Sequence, residues 1–408
     1  MKKDVRADFP LLQNESVAYL DNAATTQKPQ CVLDAIRFFY ERENANPLRG
    51  IYPLSVAATR VCEEARREVK DLIGAAGERE IIFTRNTTEG LNLVASGYGM
   101  NFLKPGDEVL VSILEHHSNL LPWQEVCQKT GARLCFLECE PDGSLNLEKA
   151  LSKINEKTAL LALTRVSNVI GRENPVKELV AAAHRVGAVA VIDGAQSTPH
   201  QRVNVQELDA DFFAFSGHKI YGPMGIGVLY GKEKWLQKMP PFLRGGEMIE
   251  SVTREGAVFA ELPHKFEAGT VNAAGCAGLT AAIRYVKEIG YDEIALRETQ
   301  LTAYAMERMQ VLPEIRILGS SDPAQHHGIV TFSVEGVHPH DVSEILASDG
   351  VAVRAGHHCA QPLLEFLGCR STVRASFSFY NTEEEIDRLI VSLRSLRERM
   401  GYGKPDLL

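Results

Sequence analysis

The sequence has no excess of positive charge and no long apolar run. Its 44 Lys and Arg residues are outnumbered by 53 Asp and Glu, giving a net charge of −9, so electrostatics do not favour nucleic acid or an anionic membrane as a partner. No apolar stretch is long enough to span a bilayer, and the N-terminal MKKDVRADFPLLQNESVAYLD lacks the apolar core of a signal peptide. We therefore expect a cytoplasmic protein that binds a small molecule or another protein.

Paired cysteine motifs are also absent. The eight cysteines are spread through the chain without a CxxC pair, which argues against both a disulfide framework and a zinc ribbon. Most of them lie in apolar helix or strand patterns, where a buried, unreactive thiol is expected. Only Cys359 has a different setting, in a polar loop.

The chain does contain a regular alternation of strands and helices. With 408 residues, 45% of them hydrophobic, it is long enough for two domains that share a large core. Between about residues 80 and 235, helical patterns separate seven β-rich runs: EIIFT, DEVLVS, RLCFLE, TALLALT, AVAVID, DFFAFS and GIGVLYG. Such alternation predicts an α/β domain with a mostly parallel sheet covered on both faces.

The pattern changes after residue 290. A long amphipathic helix, DEIALRETQLTAYAMERMQ, is followed by the predicted strands GIVTFSV, VAVR and VRASFSF and by a final helix. We predict a large α/β domain over 20–290 and a smaller α+β domain formed by 1–19 and 291–408. The segment 238–274 is rich in Gly and Pro and is predicted to be a loop that lines a site or a subunit interface.

Two strand ends place an acid and a lysine in neighbouring positions. Asp193 ends the strand AVAVID, and Lys219 follows the next strand, DFFAFS, before a Gly- and Pro-containing loop. Taken alone, the aspartate could cap a turn and the lysine could be an exposed loop residue. Together they match the arrangement that pyridoxal 5′-phosphate (PLP) enzymes use, with the acid on the pyridine nitrogen and the lysine on the aldehyde.

Hydroxyl groups at a helix start and a histidine pair complete the predicted cofactor site. Thr87 and Thr88 begin a helix after the strand EIIFT and could bind a phosphate, although the pattern also fits a simple N-cap. His116 and His117 follow the strand DEVLVS, so one imidazole could stack on a flat cofactor. A metal-binding pair is less favoured, because adjacent histidines point apart on regular structure.

Cys359 lies in the loop Arg354-Ala-Gly-His-His-Cys-Ala-Gln-Pro. His357, His358 and Arg354 could stabilise a thiolate there, which favours a reactive thiol over a core cysteine. The run HHC could also bind a metal, but no further Cys or His cluster in the sequence completes it, so we expect no intrinsic metal. Arg374, inside the apolar strand TVRASFSF, suggests a partner for a substrate carboxylate, with a structural salt bridge as the alternative.

The order of these motifs resembles that of SufS-type (group II) cysteine desulfurases of the aminotransferase class V family. The motifs are TTEGLNLV, EHHSNLLPW, VSNVIGRENP, VIDGAQS, FSGHKIYGP, FEAGT, RAGHHCAQP and VRASF, and the resemblance extends from YLDNAATTQKP at residue 19 to the final helix. It implies PLP-dependent fold type I, with a mostly parallel seven-stranded sheet plus a smaller α+β domain, and a homodimer. The implied reaction converts L-cysteine to L-alanine and leaves a persulfide on Cys359 for transfer to an acceptor in Fe–S cluster assembly.

The resemblance also implies roles for individual residues. Lys219 looks like the lysine that binds the cofactor, Asp193 the partner of its pyridine nitrogen, and His116 the residue that stacks on its ring. The remaining implied contacts are Gln196 for the phenolic oxygen, Thr87, Thr88, Ser216 and His218 for the phosphate with Thr270 from the other subunit, and Asn168, Arg374 and Arg354 for the substrate.

The segment VHPHDV resembles the version of the family that passes sulfur to SufU, a zinc-bearing acceptor. His340 stands at the position of the histidine that moves onto the acceptor's zinc, an expected role for an exposed imidazole. Alternatively, His340 only begins the helix HDVSEILAS.

Two departures from the family pattern concern the segment 46–55 and the EAGT loop. Leu48 and Tyr52 replace two histidines, which could slow the enzyme or change its substrate, and EAGTVN replaces the commoner EAGTPN, which could loosen the loop that holds Thr270. The competing hypotheses are a selenocysteine lyase or another β-eliminating PLP lyase, and a PLP-binding scaffold protein that has lost catalysis.

Overall fold

Fifteen strands are present in the computed structural model, which describes residues 5–48 and 50–401. In chain order they are β1 (Ala18–Tyr19), β2 (Ile81–Thr84), β3 (Glu108–Ser112), β4 (Arg133–Leu137), β5 (Thr158–Thr164), β6 (Val189–Asp193), β7 (Phe212–Ser216), β8 (Gly227–Gly231), β9 (Ile249–Val252), β10 (Ala257–Phe259), β11 (Ile315–Ile317), β12 (Ile329–Val334), β13 (Val351–Ala352), β14 (Arg354–Gly356) and β15 (Thr372–Ser376).

Helices connect these strands. The α-helices of the described residues are α1 (Pro10–Asn14), α2 (Gln30–Phe38), α3 (Pro53–Ile73), α4 (Thr87–Val94), α5 (Met100–Phe102), α6 (Leu121–Thr130), α7 (Leu147–Lys153), α8 (Val176–Arg185), α9 (Glu233–Lys238), α10 (Ala273–Ile289), α11 (Tyr291–Gln310), α12 (Pro339–Ser348), α13 (Gln361–Phe366) and α14 (Glu383–Arg399). Short 3-10 turns include His117–Asn119 and Gly217–Lys219.

The central sheet has seven strands in the order β2-β8-β7-β6-β5-β3-β4. Only β8 runs antiparallel to its neighbours, so the predicted mostly parallel, seven-stranded α/β sheet is confirmed. Every residue of β3, β6, β7 and β8 is buried. Burial on both faces explains why these strands are continuous apolar runs rather than alternating ones.

A second sheet of four antiparallel strands, β11-β12-β15-β14, lies in the C-terminal part of the chain. Helices α11, α12 and α14 pack around it. Gly290, with a left-handed φ of 86°, separates α10 from α11. The division into domains 20–290 and 1–19 plus 291–408 stays a proposal, and residues 1–4 and 402–408 of the latter lie outside the described residues.

Phe9 packs between the two parts of the chain. Its ring lies 6.4 Å from Tyr221 and 5.9 Å from Tyr285 on the side of the large sheet. It also lies 6.1 Å from Phe379 and 4.4 Å from Tyr380, which follow the last strand of the small sheet. This aromatic cluster fixes the relative position of the two sheets, and therefore of the residues between them.

Three sequence predictions need correction. The predicted loop 238–274 contains the hairpin β9–β10, whose strands have no buried residue and therefore no clear apolar pattern in the sequence. The predicted strand VAVR is divided, because β13 pairs with β1 while β14 pairs with β15. The prediction that only Cys359 differs from a buried, unreactive thiol is wrong, because Cys31 on α2 is exposed.

No helix among residues 5–48 and 50–401 combines the length and apolar character that a membrane crossing requires.

Candidate active site

A cavity of about 270 Å³ lies where the C-terminal ends of β6 and β7 face the small sheet. Its position agrees with the rule that open α/β sheets bind ligands at the carboxyl ends of their strands. Twelve residues predicted from the sequence line it: Thr87, Thr88, His116, Asn168, Asp193, Gln196, Ser216, His218, Lys219, Arg354, Cys359 and Arg374.

Asp193 and Lys219 form the floor of this cavity. Asp193 is the last residue of β6, is 3% exposed, and accepts a 2.9 Å hydrogen bond from the backbone N–H of Ala195. Lys219 ends the 3-10 turn after β7. Burial lowers the pKa of Lys219 to about 8, and Asp193 partly opposes that shift. The amine is therefore neutral over a much wider pH range than a surface lysine, as a nucleophile requires.

The N-terminus of α4 and the end of β7 form a polar cup. Asn86 caps the helix by accepting a 2.9 Å hydrogen bond from the Glu89 N–H. The Thr87 N–H donates to Ser216 Oγ at 2.9 Å, and the two hydroxyls lie 2.7 Å apart. Thr88 Oγ1 extends the cup to Ser118 Oγ at 2.7 Å. Hydroxyls and amides at a helix start suit a phosphate group.

His116 lies beside this cup as a neutral ring. Its Nδ1 accepts a 3.1 Å hydrogen bond from the Ser118 N–H. Burial, with Lys219 nearby, lowers the pKa of His116 to about 3. The loop is held from below by Glu115, a buried carboxyl that contacts Ser112 and accepts a 2.6 Å hydrogen bond from Asn119. Burial raises the pKa of Glu115 to about 8.

Four buried polar atoms of residues that line the cavity have no hydrogen-bond partner: Gln196 Oε1, His218 Nδ1, His358 Nδ1 and Arg374 Nε. Gln196 is otherwise fixed, because its Nε2 donates to the Ala23 carbonyl at 2.8 Å. Buried polar groups are rarely left unsatisfied in a native protein. Together with a lysine, a facing acid and a phosphate-like cup, these atoms fit a polar ligand with several acceptor and donor groups.

Arg374 occupies the opposite wall. It is 3% exposed and donates from Nη1 to the Asn168 carbonyl at 2.8 Å and from Nη2 to Asp21 Oδ1 at 3.3 Å. Asp21 also forms a 3.0 Å ion pair with Arg354. The two interpretations of Arg374 are thus compatible, because it has a structural acid partner and still presents an unpaired Nε. Asp21 lies 353 residues from Arg374 in the chain, so no local pattern marked it as a partner of the guanidinium.

Cys359 lies in the loop between β14 and α13, half-buried at the cavity edge. His358 and Cys359 both adopt left-handed backbone conformations, with φ of 50° and 54°. The Cys359 carbonyl accepts a 2.7 Å hydrogen bond from the His117 N–H. Its own N–H donates to His357 Nδ1 at 3.1 Å. The loop that carries the thiol is therefore tied to the loop of the histidine pair.

Residues 18–389 match the family described as aminotransferase class-V. The chain belongs to the class-V aminotransferase family. PLP is the cofactor of this family, and the lysine, acid, phosphate cup and unpaired polar atoms of the cavity fit it.

Three relatives of this class-V chain are described as cysteine desulfurases or probable cysteine desulfurases. It is 48% identical over 403 residues to a probable cysteine desulfurase of Halalkalibacterium halodurans, with 98% of each chain covered. It superposes on the apo cysteine desulfurase of Thermococcus onnurineus with a TM-score of 0.94 and 44% identity over 98% of each chain. For the cysteine desulfurase CsdA of Escherichia coli, in its S-sulfonic acid form, the TM-score is 0.90 and the identity 39%, over 98% of this chain and 99% of that one.

Two predicted residues of this class-V chain lie outside the cavity. Thr270 is exposed and lines a different depression, next to Phe83. His340 is exposed in the first turn of α12, where its N–H donates to His338 Nδ1 at 3.3 Å. The replacements Leu48 and Tyr52 also lie outside the residues that line the cavity.

The predicted environment of Cys359 needs two corrections. His358 supplies no charge, because its ring is buried against Thr372, at 2.9 Å, and burial lowers its pKa to about 3. The HHC run is also not isolated, since His117 brings a third ligand atom near His357 and Cys359. The sequence marked His117 only as the neighbour of His116, whereas the fold places it against the loop that carries Cys359.

Proposed function

We propose that this protein is a PLP-dependent cysteine desulfurase. The observation that carries the proposal is one cavity that joins Lys219 and Asp193 with the Arg374 guanidinium and the Cys359 thiol. The relatives named above, all described as cysteine desulfurases, support the same conclusion. They give no specific support to a selenocysteine lyase or to a non-catalytic scaffold.

The proposed reaction transfers one sulfur atom. L-Cysteine and the Cys359 thiol give L-alanine and a Cys359 persulfide: the carbon–sulfur bond of the substrate breaks, a sulfur–sulfur bond forms, and hydrogen replaces sulfur on carbon. No external oxidant is needed for this balance. When bound, PLP supplies an electron sink for the carbon centre.

The side chains around the cavity have separate proposed tasks. Lys219 would link the cofactor and move the α-proton with its Nζ, for which a pKa of about 8 is well placed. Asp193 would face the ring nitrogen, Gln196 the phenolic oxygen and His116 the ring face. The phosphate would lie in the cup, whose proposed members are Thr87, Thr88, Ser216 and His218.

Substrate orientation is assigned to the wall formed by Arg374 and Asn168. The Asn168 side-chain amide donates to the His358 backbone carbonyl at 2.7 Å, and the Asn168 backbone carbonyl accepts from Arg374 Nη1 at 2.8 Å. A substrate carboxylate bound at Arg374 would therefore be held next to the cysteine loop. Arg354 lies at the same edge and pairs with Asp21.

A homodimer is part of the proposal. Apolar side chains just before α3 and in its first turn are exposed, with Ile51 at 99% and Val56 at 56%. The exposed hairpin β9–β10 and the exposed Thr270 lie in one segment, 238–274. A second copy that covers these surfaces would bury them and bring Thr270 to the phosphate cup of its neighbour. Sedimentation should give a dimer, and a monomer with full cofactor content and activity would contradict it.

Sulfur transfer to a SufU-like zinc protein, with onward use in Fe–S cluster assembly, is the proposed fate of the persulfide. His340 lies on α12, which packs against β14, the strand that leads to the Cys359 loop. An acceptor bound at α12 would thus be close to the loop. If His340→Ala left acceptor-stimulated turnover unchanged, this role would be withdrawn. A cytoplasmic location is proposed because persulfide chemistry needs a thiol kept reduced.

The direct test compares wild type with Cys359→Ala and the matched control Cys369→Ala. Cys369 is a half-buried thiol in the turn after α13, outside the cavity lining. With L-cysteine and a reductant, wild type and Cys369→Ala should form alanine and sulfide in equal amounts, and Cys359→Ala should form neither at a comparable rate. Absence of alanine from wild type would refute the function. Undiminished product from Cys359→Ala would remove that residue from its role.

A further inference from the structure

The proposed reaction assigns a role to Cys359 but does not explain why His117 and His357 cluster around it. One ligand atom from each lies within 4.8 Å of the others. The cluster joins the loop after β3 to the loop before α13. We propose that these three side chains form a binding site for a thiophilic divalent cation, with Zn²⁺ as the expected occupant, and that metal binding there masks the Cys359 thiol.

The donor set selects the class of metal. One thiolate and two imidazoles are preferred by zinc and its soft relatives, whereas magnesium and calcium need oxygen ligands. Tetrahedral zinc, with bonds of about 2.0–2.3 Å, holds its ligand atoms roughly 3.3–3.8 Å apart. The cluster therefore needs to contract by only about 1 Å, which rotation of the exposed His357 ring can supply. Three protein ligands leave a fourth position for water.

Hydrogen bonds arrange the three ligands in advance. The backbone N–H of His117 donates to the Cys359 carbonyl at 2.7 Å, and the backbone N–H of Cys359 donates to His357 Nδ1 at 3.1 Å. The two imidazole rings lie 5.6 Å apart, inclined by 34°. His117 Nε2 accepts only a long, 3.3 Å hydrogen bond, from the Gln361 N–H, so little is lost when a metal takes that lone pair.

The surrounding charges limit the affinity. Lys219, Arg354 and Arg374 each interact with the Cys359 sulfur. Their positive charges would repel a bound dication. We therefore expect reversible binding of strongly thiophilic ions only. The consequence for sulfur transfer rests on the proposed desulfurase function, whereas the metal site does not.

The test measures protection of Cys359 in the holoenzyme without L-cysteine, because free cysteine chelates zinc. Iodoacetamide alkylation is followed by peptide mass spectrometry, with the exposed Cys31 as an internal reference. One equivalent of Zn²⁺ should slow alkylation of Cys359 by about tenfold or more and leave Cys31 unchanged, because metal-bound sulfur is a poor nucleophile. Mg²⁺ should have no effect.

Two conservative variants decide whether the histidines take part. His357→Asn keeps an acceptor for the Cys359 N–H, and His117→Gln keeps one for the Gln361 N–H. Both should retain cofactor absorbance and lose zinc protection, whereas His340→Asn should keep the protection. Tetrahedral Co²⁺ bands in the visible spectrum should appear in wild type and vanish in both ligand variants.

Unchanged alkylation of wild type in zinc would overturn the proposal, and so would full protection in both ligand variants. Alanine formation is measured separately. A protein that binds zinc but forms no alanine would contradict the desulfurase function and leave the metal site intact.

Discussion

The two halves of the site are built in opposite ways. Asp193 and Ser216 end strands whose residues are all buried, in the middle of a seven-stranded sheet, and Lys219 ends the 3-10 turn that follows Ser216. Cys359 lies in an irregular loop of the small sheet, with an exposed histidine two residues before it. The first set is fixed by the core, and the second is fixed by a few hydrogen bonds.

This difference matches the tasks of the two halves. A cofactor bound by a lysine and an acid needs a rigid frame, since small displacements reduce catalysis strongly. A thiol that accepts sulfur and then presents it outside must change position. The left-handed conformations of His358 and Cys359 each cost roughly 1–2 kcal/mol. The loop therefore holds a less favourable conformation beside the cavity, from which movement is easier.

The largest effect should come from Lys219→Ala, which removes the reactive group of the rigid half. We expect alanine formation to fall by about 10⁴-fold or more, because both cofactor linkage and proton transfer are lost. Turnover is measured as alanine formed from L-cysteine, with the exposed Lys238→Ala as control. Cys359 should still be alkylated by iodoacetamide, because the loop that carries it is fixed by contacts other than those of Lys219. A Lys219→Ala protein with more than a tenth of wild-type activity would contradict the assignment.

Asp193→Asn should have the next largest effect. Asparagine keeps the shape and the 2.9 Å hydrogen bond from Ala195, but it lacks the charge that would face the ring nitrogen. We expect turnover to fall by about 10²–10³-fold, the range for loss of one preorganised electrostatic contact. Cofactor content and alanine formation are the measurements. If the variant instead altered only the alkylation rate of Cys359, the separation of the two halves would be wrong.

Asp193 and Lys219 could be predicted because continuous apolar strands end at the first and just before the second, and a buried parallel sheet brings such ends to one edge. Asp21 and His117 could not be assigned from the sequence. Asp21 meets Arg374 across 353 residues, and His117 meets Gln361 across 244. No periodicity records which loops meet above a sheet, so the pairing of the two loops required the fold.

Glu115 and the hairpin β9–β10 show two further limits. A buried acid whose pKa burial raises to about 8 has no local sequence signature, because its partners come from three segments. The hairpin has too few buried side chains for an apolar pattern to mark it. Sequence patterns report burial within one element, and they fail where contacts between elements decide the structure.

Cofactor loading should depend on pH through the rigid half. Only the neutral amine of Lys219 can react with an aldehyde, and burial lowers its pKa to about 8. The loading rate of the apoprotein should therefore rise about tenfold per pH unit below 8 and level off above it. Cofactor absorbance after rapid mixing measures this rate. The Asp193 charge raises the pKa of Lys219, so Asp193→Asn should move the midpoint to lower pH. A rate still rising at pH 10 would show an unperturbed lysine.

The smallest effect should come from Asp21→Asn, at the point where the two halves meet. Asp21 holds Arg374 at 3.3 Å and Arg354 at 3.0 Å, and an amide keeps its shape but weakens both contacts. If the less well oriented Arg374 binds the substrate carboxylate about 1 kcal/mol more weakly, KM for L-cysteine would rise about fivefold. The kcat should change less than twofold, because Asp21 does not line the cavity. Steady-state kinetics separate the two parameters. A lower KM would mean that Asp21 competes with the substrate carboxylate for Arg374 rather than orienting Arg374. The Asp21–Arg374 ion pair would then weaken substrate binding instead of holding the guanidinium in place.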